Sequence, residues 1–186
     1  MRVVAGSARG RVLSAPPGLT TRPTSDRVRE AVFNALHSLG VLAGARGIDC
    51  FAGSGALGIE ALSREAAHMT FVDPDARARR AIEQNLTVAG VVDRAEVLAQ
   101  SAERVLAEAV TAGHRFDLVL LDPPYDFAHW PALIIAVAGV VTPDAVVVME
   151  SNGAVEVAAD SGLEVTRSRG YGSTVVTFAR PAGVDT

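Results

Sequence analysis

The 186-residue chain is 49% hydrophobic and 20% charged, with one cysteine and a formal net charge of −4. This is the composition of a globular chain long enough for one sizeable core, and it excludes a disulfide framework or a cysteine-rich metal site. Apolar runs are strand-sized and Met1-Arg2-Val3-Val4-Ala5-Gly6 is no signal peptide, so a cytoplasmic protein without a membrane span is expected.

The charge is unevenly spread. Residues 1–30 hold six arginines (2, 9, 11, 22, 27, 29) against Asp26 and Glu30, and the remainder is acidic. A basic segment on an acidic body reads as an arm for a polyanion. The plainer alternative is a solvated surface segment. The chain has no lysine, so base composition can account for part of the arginine count.

In chain order, residues 1–13 read as two short strands around Ala5-Gly6-Ser7-Ala8-Arg9-Gly10, with Val3, Val12 and Leu13 on the apolar side. Ala15 to Arg22 is an irregular linker. Arg22-Pro23-Thr24-Ser25-Asp26 is a helix start with Thr24 or Ser25 as N-cap, and apolar residues at 28, 31, 32, 35, 36 and 39 make a helical stripe. Arg22, Arg27 and Arg29 fall at the start of that helix or on its other faces. From 47 to 150, strands at 48–52, 68–73, 95–99, 116–121 and 145–149 alternate with helices at 56–64, 75–89, 102–112 and 129–139. Such alternation means a parallel sheet with right-handed crossovers. Two strands near 162–168 and 173–179 close it as a hairpin. The expected division is a basic hairpin and helix over 1–40, packed on a core domain over 41–186.

Gly53-Ser54-Gly55-Ala56-Leu57-Gly58 matches G-x-G-x-x-G between a strand and a helix, and Asp73 lies twenty residues past Gly53. On that fingerprint alone a dinucleotide-binding domain fits. Three features favour S-adenosylmethionine instead. Asp49, four residues before the loop, can pair with an ammonium but would repel a pyrophosphate. An arginine-rich segment of nearly fifty residues precedes the loop. The third feature, Asp122-Pro123-Pro124-Tyr125, has no task in hydride transfer. In the S-adenosylmethionine reading Asp73 accepts from both ribose hydroxyls and Ser101-Ala102 sits at the adenine edge. Asp73 has a bland alternative as a helix cap. Asp49 has none, because an unpaired carboxylate among Ile48, Cys50 and Phe51 is costly to bury. Cys50 reads as a small buried residue, and Trp130 as packing under the helix at 129–139. The four histidines (37, 68, 114, 129) have no ligand spacing, so no metal is expected.

Asp122-Pro123-Pro124-Tyr125 follows the apolar strand Phe116-Asp117-Leu118-Val119-Leu120-Leu121 and so stands over the ligand-binding edge of the sheet. The prolines hold the chain extended and leave backbone carbonyls without turn partners. One carboxylate, one carbonyl and one ring suit a planar base with an exocyclic amine. The tetrapeptide by itself does not choose between guanine, adenine and cytosine.

Taken jointly, Arg2-Val3-Val4-Ala5-Gly6 with Arg9-Gly10-Arg11, Arg22-Pro23-Thr24-Ser25-Asp26-Arg27-Val28-Arg29-Glu30, the run from Asp49 to Arg64, and Asp122-Pro123-Pro124-Tyr125 resemble the RsmD family of bacterial small-subunit ribosomal RNA guanine-N2 methyltransferases. Gly170-Tyr171-Gly172-Ser173-Thr174 looks familial too. The resemblance implies a Rossmann-like class I methyltransferase: a seven-stranded, mostly parallel sheet with its last strand antiparallel, plus an N-terminal hairpin arm. It implies S-adenosylmethionine as cofactor, lined by Asp49, Phe51, Gly53, Gly55, Asp73, Ser101, Ala102 and Asp122. Asp122, Pro123 and Tyr125 would meet the base, and Arg2, Arg9, Arg11, Arg22 and Arg27 the RNA. The implied partner is small-subunit rRNA, free or in the assembling particle, with the protein acting as a monomer. The rival readings are a DNA or other RNA amino-methyltransferase, an NAD-dependent oxidoreductase, and a non-catalytic RNA-binding protein of the same fold.

Overall fold

The computed structural model describes residues 1–18 and 26–183. In chain order the elements are α1 (Asp26–Ser38), β1 (Arg46–Cys50), α2 (Ala56–Ser63), β2 (His68–Val72), α3 (Ala76–Ala89), β3 (Ala95–Leu98), α4 (Ala102–Ala112), β4 (Phe116–Leu121), α5 (Trp130–Ala138), β5 (Val141–Ser151), β6 (Leu163–Tyr171) and β7 (Thr174–Pro181). The strands form one sheet in the order β3-β2-β1-β4-β5-β7-β6. β1 to β5 are mutually parallel, and β7 runs antiparallel to both its neighbours. This is the Rossmann-like methyltransferase sheet, with its order reversing beside β1 and β4.

Alternating residues along the strands serve two cores. Leu118, Leu120, Val146, Val148, Val176 and Phe178 face α1, α2 and α3. Ile48, Cys50, Val119, Leu121, Val147 and Met149 face α4 and α5. The near-continuous apolar runs of β4 and β5 follow from burial on both faces.

Boundary differences from the sequence reading have local causes. β1 ends at Cys50 because Phe51 takes a φ of +64°, which no strand accommodates. β5 begins at Val141 rather than 145, with a register break between the pairs Phe116–Val141 and Leu118–Val146. Pro143 lies within that break and has no N–H for the ladder. The two strands expected in 1–13 reduce to one antiparallel bridge, Arg2 to Val12. Backbone bonds still close the turn, from Val3 N to Arg11 O at 3.0 Å and from Leu13 N to Met1 O at 3.0 Å. Val3 and Leu13 are buried, but Val12 is 63% exposed. Neighbours in an extended chain point to opposite sides, so Val12 and Leu13 cannot both face inward.

Arg22 and the expected cap at Thr24 or Ser25 lie outside the described residues. Along α1, Val28, Val32, Phe33 and Leu36 are buried, while Leu39 stands beyond the helix end and is exposed. Arg29 departs from its expected place on an outer face: it is fully buried. Its guanidinium donates to the Arg2 carbonyl and to Asp26 Oδ1 at 2.8 Å, and its Nε lies 3.7 Å from Glu60 Oε2. It is therefore an internal cation rather than a phosphate contact.

Glu60, on α2, is the other half of that arrangement and is also fully buried. Its carboxylate accepts from Val4 N at 2.7 Å, Ala5 N at 3.0 Å and Arg64 Nε at 2.8 Å. One turn on, Ser63 Oγ accepts from Ala8 N at 3.0 Å, and Ser7 N donates to Ser63 O at 2.8 Å. Gly6, at φ +81°, passes so close that a Cβ would lie 1.8 Å from Ser63 O. Asn85, on α3, accepts from Ser14 N at 2.8 Å and donates to Ser14 O at 2.9 Å and Ser54 O at 2.8 Å. The N-terminal segment thus runs along α2, turns beside its carboxyl end and returns to the loop before it. No helix among the described residues is long and apolar enough to cross a membrane.

Removing one member of a buried, hydrogen-bonded ion pair costs about 3–5 kcal/mol. Glu60→Ala is expected to lower unfolding stability by that order in urea titration, and to expose residues 1–14 to limited proteolysis. Glu60→Gln, which keeps an acceptor, should lose less.

Candidate active site

Polar groups gather where the carboxyl ends of β1, β2 and β4 meet, at the reversal in strand order. Gly53 and Gly55 hold φ values of +57° and +74°, a region closed to most side chains, and Gly55 is the N-cap of α2. The loop is held from beneath by carboxylates. Asp73 Oδ2 accepts from Gly53 N at 2.9 Å, and its Oδ1 accepts from Asp75 N at 2.9 Å. Asp49 Oδ2 accepts from Gly58 N at 2.9 Å. Gly58 has no room for a side chain, since a Cβ would lie 2.3 Å from the Phe71 ring. The third glycine of the motif is therefore a packing requirement.

Asp49 is 1% exposed, and its Oδ1 is buried without a hydrogen-bond partner. Desolvation pushes its carboxyl well above the usual range, against the Gly58 N–H, and the nearby charges of Asp122 and Asp73 push the same way. Asp73 is raised too, chiefly by desolvation. Three carboxylates thus converge on one rim. The unpartnered, buried Oδ1 of Asp49 favours a ligand bearing donors and positive charge. The orphaned Oδ1 of Asp49 and the open backbone at Gly53 and Gly55 fit the amino-acid end of S-adenosylmethionine. Asp73 retains lone pairs for hydroxyl donors.

Other expected residues have mixed placements. Ser101 is the N-cap of α4, accepting from Arg104 N at 3.4 Å, and is exposed; Ala102 is buried beneath it. Phe51 borders the glycine loop and meets Phe127 edge-to-face at 5.4 Å. Asp122 is half-buried, Pro123 buried and Tyr125 45% exposed. Beside this tetrapeptide lies a cavity of about 170 Å³, lined by Pro123, Tyr125, Phe127, Trp130 and Asn152 among others. Phe127 and Asn152 were absent from the sequence reading. The spacing of Tyr125, Phe127 and Trp130 just after a strand end was the available signal for the first. Trp130 packs edge-to-face on Phe127 at 5.6 Å at the cavity wall, more exposed than a residue wholly beneath α5 would be. Burial pushes the Cys50 thiol up, which leaves it inert.

Of the arginines assigned to RNA, Arg2, Arg9, Arg11 and Arg27 are all exposed. They are not all at the rim. Arg9 lies at the turn beside Ser63, and α2 separates that turn from Gly55 by about 12 Å of helix.

A family model described as Conserved hypothetical protein 95 matches residues 1–180. The chain belongs to this family. It is the RsmD family, to which the sequence motifs pointed. A family relative in Bacillus subtilis (strain 168), YlbH, provisionally named an rRNA methyltransferase, is 39% identical over 98% of this chain and 100% of its own length. Ribosomal RNA small subunit methyltransferase D of Escherichia coli (strain K12) is 41% identical over 67% of this chain and 60% of its own. Among solved structures, yhhF from Escherichia coli, provisionally named a methyltransferase, matches with a TM-score of 0.83 at 34% identity over 97% of each chain.

A carboxyl raised in the folded state is protonated there at pH values where the unfolded chain has already ionised. Asp49 therefore makes the ligand-free protein lose stability as pH rises from the ordinary aspartate value of 3.8 toward its own raised value. Asp49→Asn should remove that loss: the variant's melting temperature, relative to the native protein, should be higher at pH 7 than at pH 4. Calorimetry should show S-adenosylmethionine binding weakened by roughly tenfold or more, the worth of a charged hydrogen bond.

Proposed function

We propose that this protein transfers the methyl group of S-adenosylmethionine to the exocyclic N2 of a guanine in small-subunit ribosomal RNA. The observation that carries the reading is the nearness of Asp122 to Asp49, close enough for the charge of one to shift the other. An acceptor for a base amine therefore stands next to the cradle for a cationic methyl donor. The names of the relatives support rRNA as the substrate, and the family resemblance supports guanine N2.

Bound at the glycine loop, S-adenosylmethionine supplies an electrophilic methyl on a sulfonium, so the protein's task is to position and activate nitrogen. The N2 lone pair of guanine is delocalised into its ring. Hydrogen bonds from the amine to the Asp122 carboxylate and the Pro123 carbonyl hold the nitrogen with its lone pair directed away from both. As N2 gains positive charge, the carboxylate stabilises it and receives the departing proton. Tyr125, almost half exposed, offers its face to a base taken out of its stack; unstacking costs a few kcal/mol and stacking on an aromatic ring returns about 1–3 kcal/mol. Exposed Arg2, Arg9, Arg11 and Arg27, together with Arg22, contact phosphates and make RNA binding salt-sensitive.

Tritiated-methyl transfer to small subunits, naked rRNA and duplex DNA, run side by side, tests the reading; label confined to DNA would replace rRNA with DNA as substrate. Asp122→Ala should lower kcat by about 100-fold or more while calorimetric S-adenosylmethionine affinity survives. Normal turnover in that variant would remove Asp122 from the mechanism. Arg9→Glu with Arg11→Glu should weaken RNA binding in filter assays and leave the cofactor affinity unchanged.

A further inference from the structure

The β6–β7 hairpin carries arginines that the site above does not use. β6 is the free edge of the sheet and is parallel to β5 through their shared antiparallel partner β7. Its carboxyl end therefore points to the same rim as the carboxyl ends of β1 and β4. The register fixes the level. Leu121 pairs with Met149, which puts Asp122 level with Glu150. Glu150 pairs with Val176, and Val176 with Arg169. Arg169 thus lies in the transverse row of Asp122, three strand spacings away, or about 14 Å. Roughly four stacked nucleotides cover that distance.

The face is fixed as well. Val176 and Phe178 point into the core beneath α1. Arg169 and Arg167 pair with them and so stand on the same side of the sheet, the side that carries the N-terminal segment. Residues 164–170 are all exposed. Among the described residues neither Arg167 nor Arg169 has an ion-pair partner. At the other end of the hairpin Glu164 lies across from Arg180, so the uncompensated charge is at the rim. The Arg169 guanidinium sits 5.3 Å over the Tyr171 ring, which restricts its rotamers and leaves its edge donors free.

We propose that the β6–β7 hairpin is a second RNA-contacting surface, on which Arg167 and Arg169 hold phosphates of the strand flanking the target nucleotide. The proposal rests on the rRNA methyltransferase reading above. Arg9, by contrast, is at the far end of α2 from the glycine loop. The hairpin arginines are therefore better placed than Arg9 to grip the strand beside the nucleotide over Asp122. Charged side chains on an edge strand also discourage edge-to-edge pairing, and that rival role makes a different prediction.

The test is the salt dependence of small-subunit rRNA binding by native protein and by Arg167→Ser/Arg169→Ser. Each single-strand phosphate contact contributes about 0.7 to the slope of log affinity against log salt, so the double variant should lose about 1.4. Its KM for RNA should rise with kcat at saturating RNA unchanged, and Arg167→Lys/Arg169→Lys should recover most of the slope. Cofactor calorimetry and melting temperature verify that the variants are folded. An unchanged slope overturns the proposal, as does an unchanged slope accompanied by self-association in light scattering, which would leave only edge protection. Native protein that binds rRNA but transfers no methyl to it would overturn the functional reading, while the variant's slope would still decide the hairpin.

Discussion

Glu60 is a carboxylate with no exposure, and its oxygens hold two backbone N–H groups of the N-terminal segment and the side chain of Arg64. Arg29, equally buried, approaches it from α1. Through this one group two pieces of chain distant in sequence, the N-terminal segment and α1, are fixed to α2, the helix that opens with the glycine loop. A buried charge is tolerable only when its lone pairs are met, so the arrangement has little freedom to drift. The same helix is anchored at its start by Asp49 and closed at its end by Arg94, whose Nη1 donates to Leu62 O and Ala66 O. Its position, and with it the loop geometry, is set by polar bonds from several directions in addition to apolar packing.

The rim assembled on this base is stabilised unevenly. Asp73 and Asp122 each repel Asp49, and Asp49 and Asp73 are desolvated. Phe51 sits in a left-handed conformation that disfavours non-glycine residues. Strain and like charge collected where a fold otherwise obeys its own rules are the usual mark of a site shaped for a ligand rather than for stability. A cationic ligand with several donors relieves both the repulsion and the orphaned acceptor.

Much of this was legible in the sequence. Strand-sized apolar runs and period-3.6 stripes placed each α-helix and sheet strand after residue 26 to within a few residues, because burial dictates them directly, but not the short 3₁₀ helix at Val92–Arg94. The glycine loop and the tetrapeptide were readable since their geometry depends on glycine and proline, which act locally. The fate of Arg29 was not. Its position among apolar neighbours on α1 looks like any charged residue on a helix flank, and only the return of the chain to bring Glu60 and Arg2 beside it makes it internal. Val12 misled for a related reason: a hairpin's register decides which of two adjacent apolar residues faces inward. The alignment of Arg169 with Asp122 depends on three strand registers in succession and has no local signature.

The course of the N-terminal segment along α2 has a consequence for how the chain is made. Val4 meets Glu60 across 56 residues, and Ser14 meets Asn85 across 71. During synthesis, at about 5–20 residues per second, Val4 and Ser14 emerge several seconds before the residues that hold them. Residues 1–14 break their apolar positions with glycine and arginine, and no apolar run exceeds Val3-Val4-Ala5, which keeps an unpartnered segment soluble. The bonds of Val4 and Ser14 to Glu60 and Asn85 can thus form only after α2 and α3 have been made, so this segment is fastened onto helices synthesised after it.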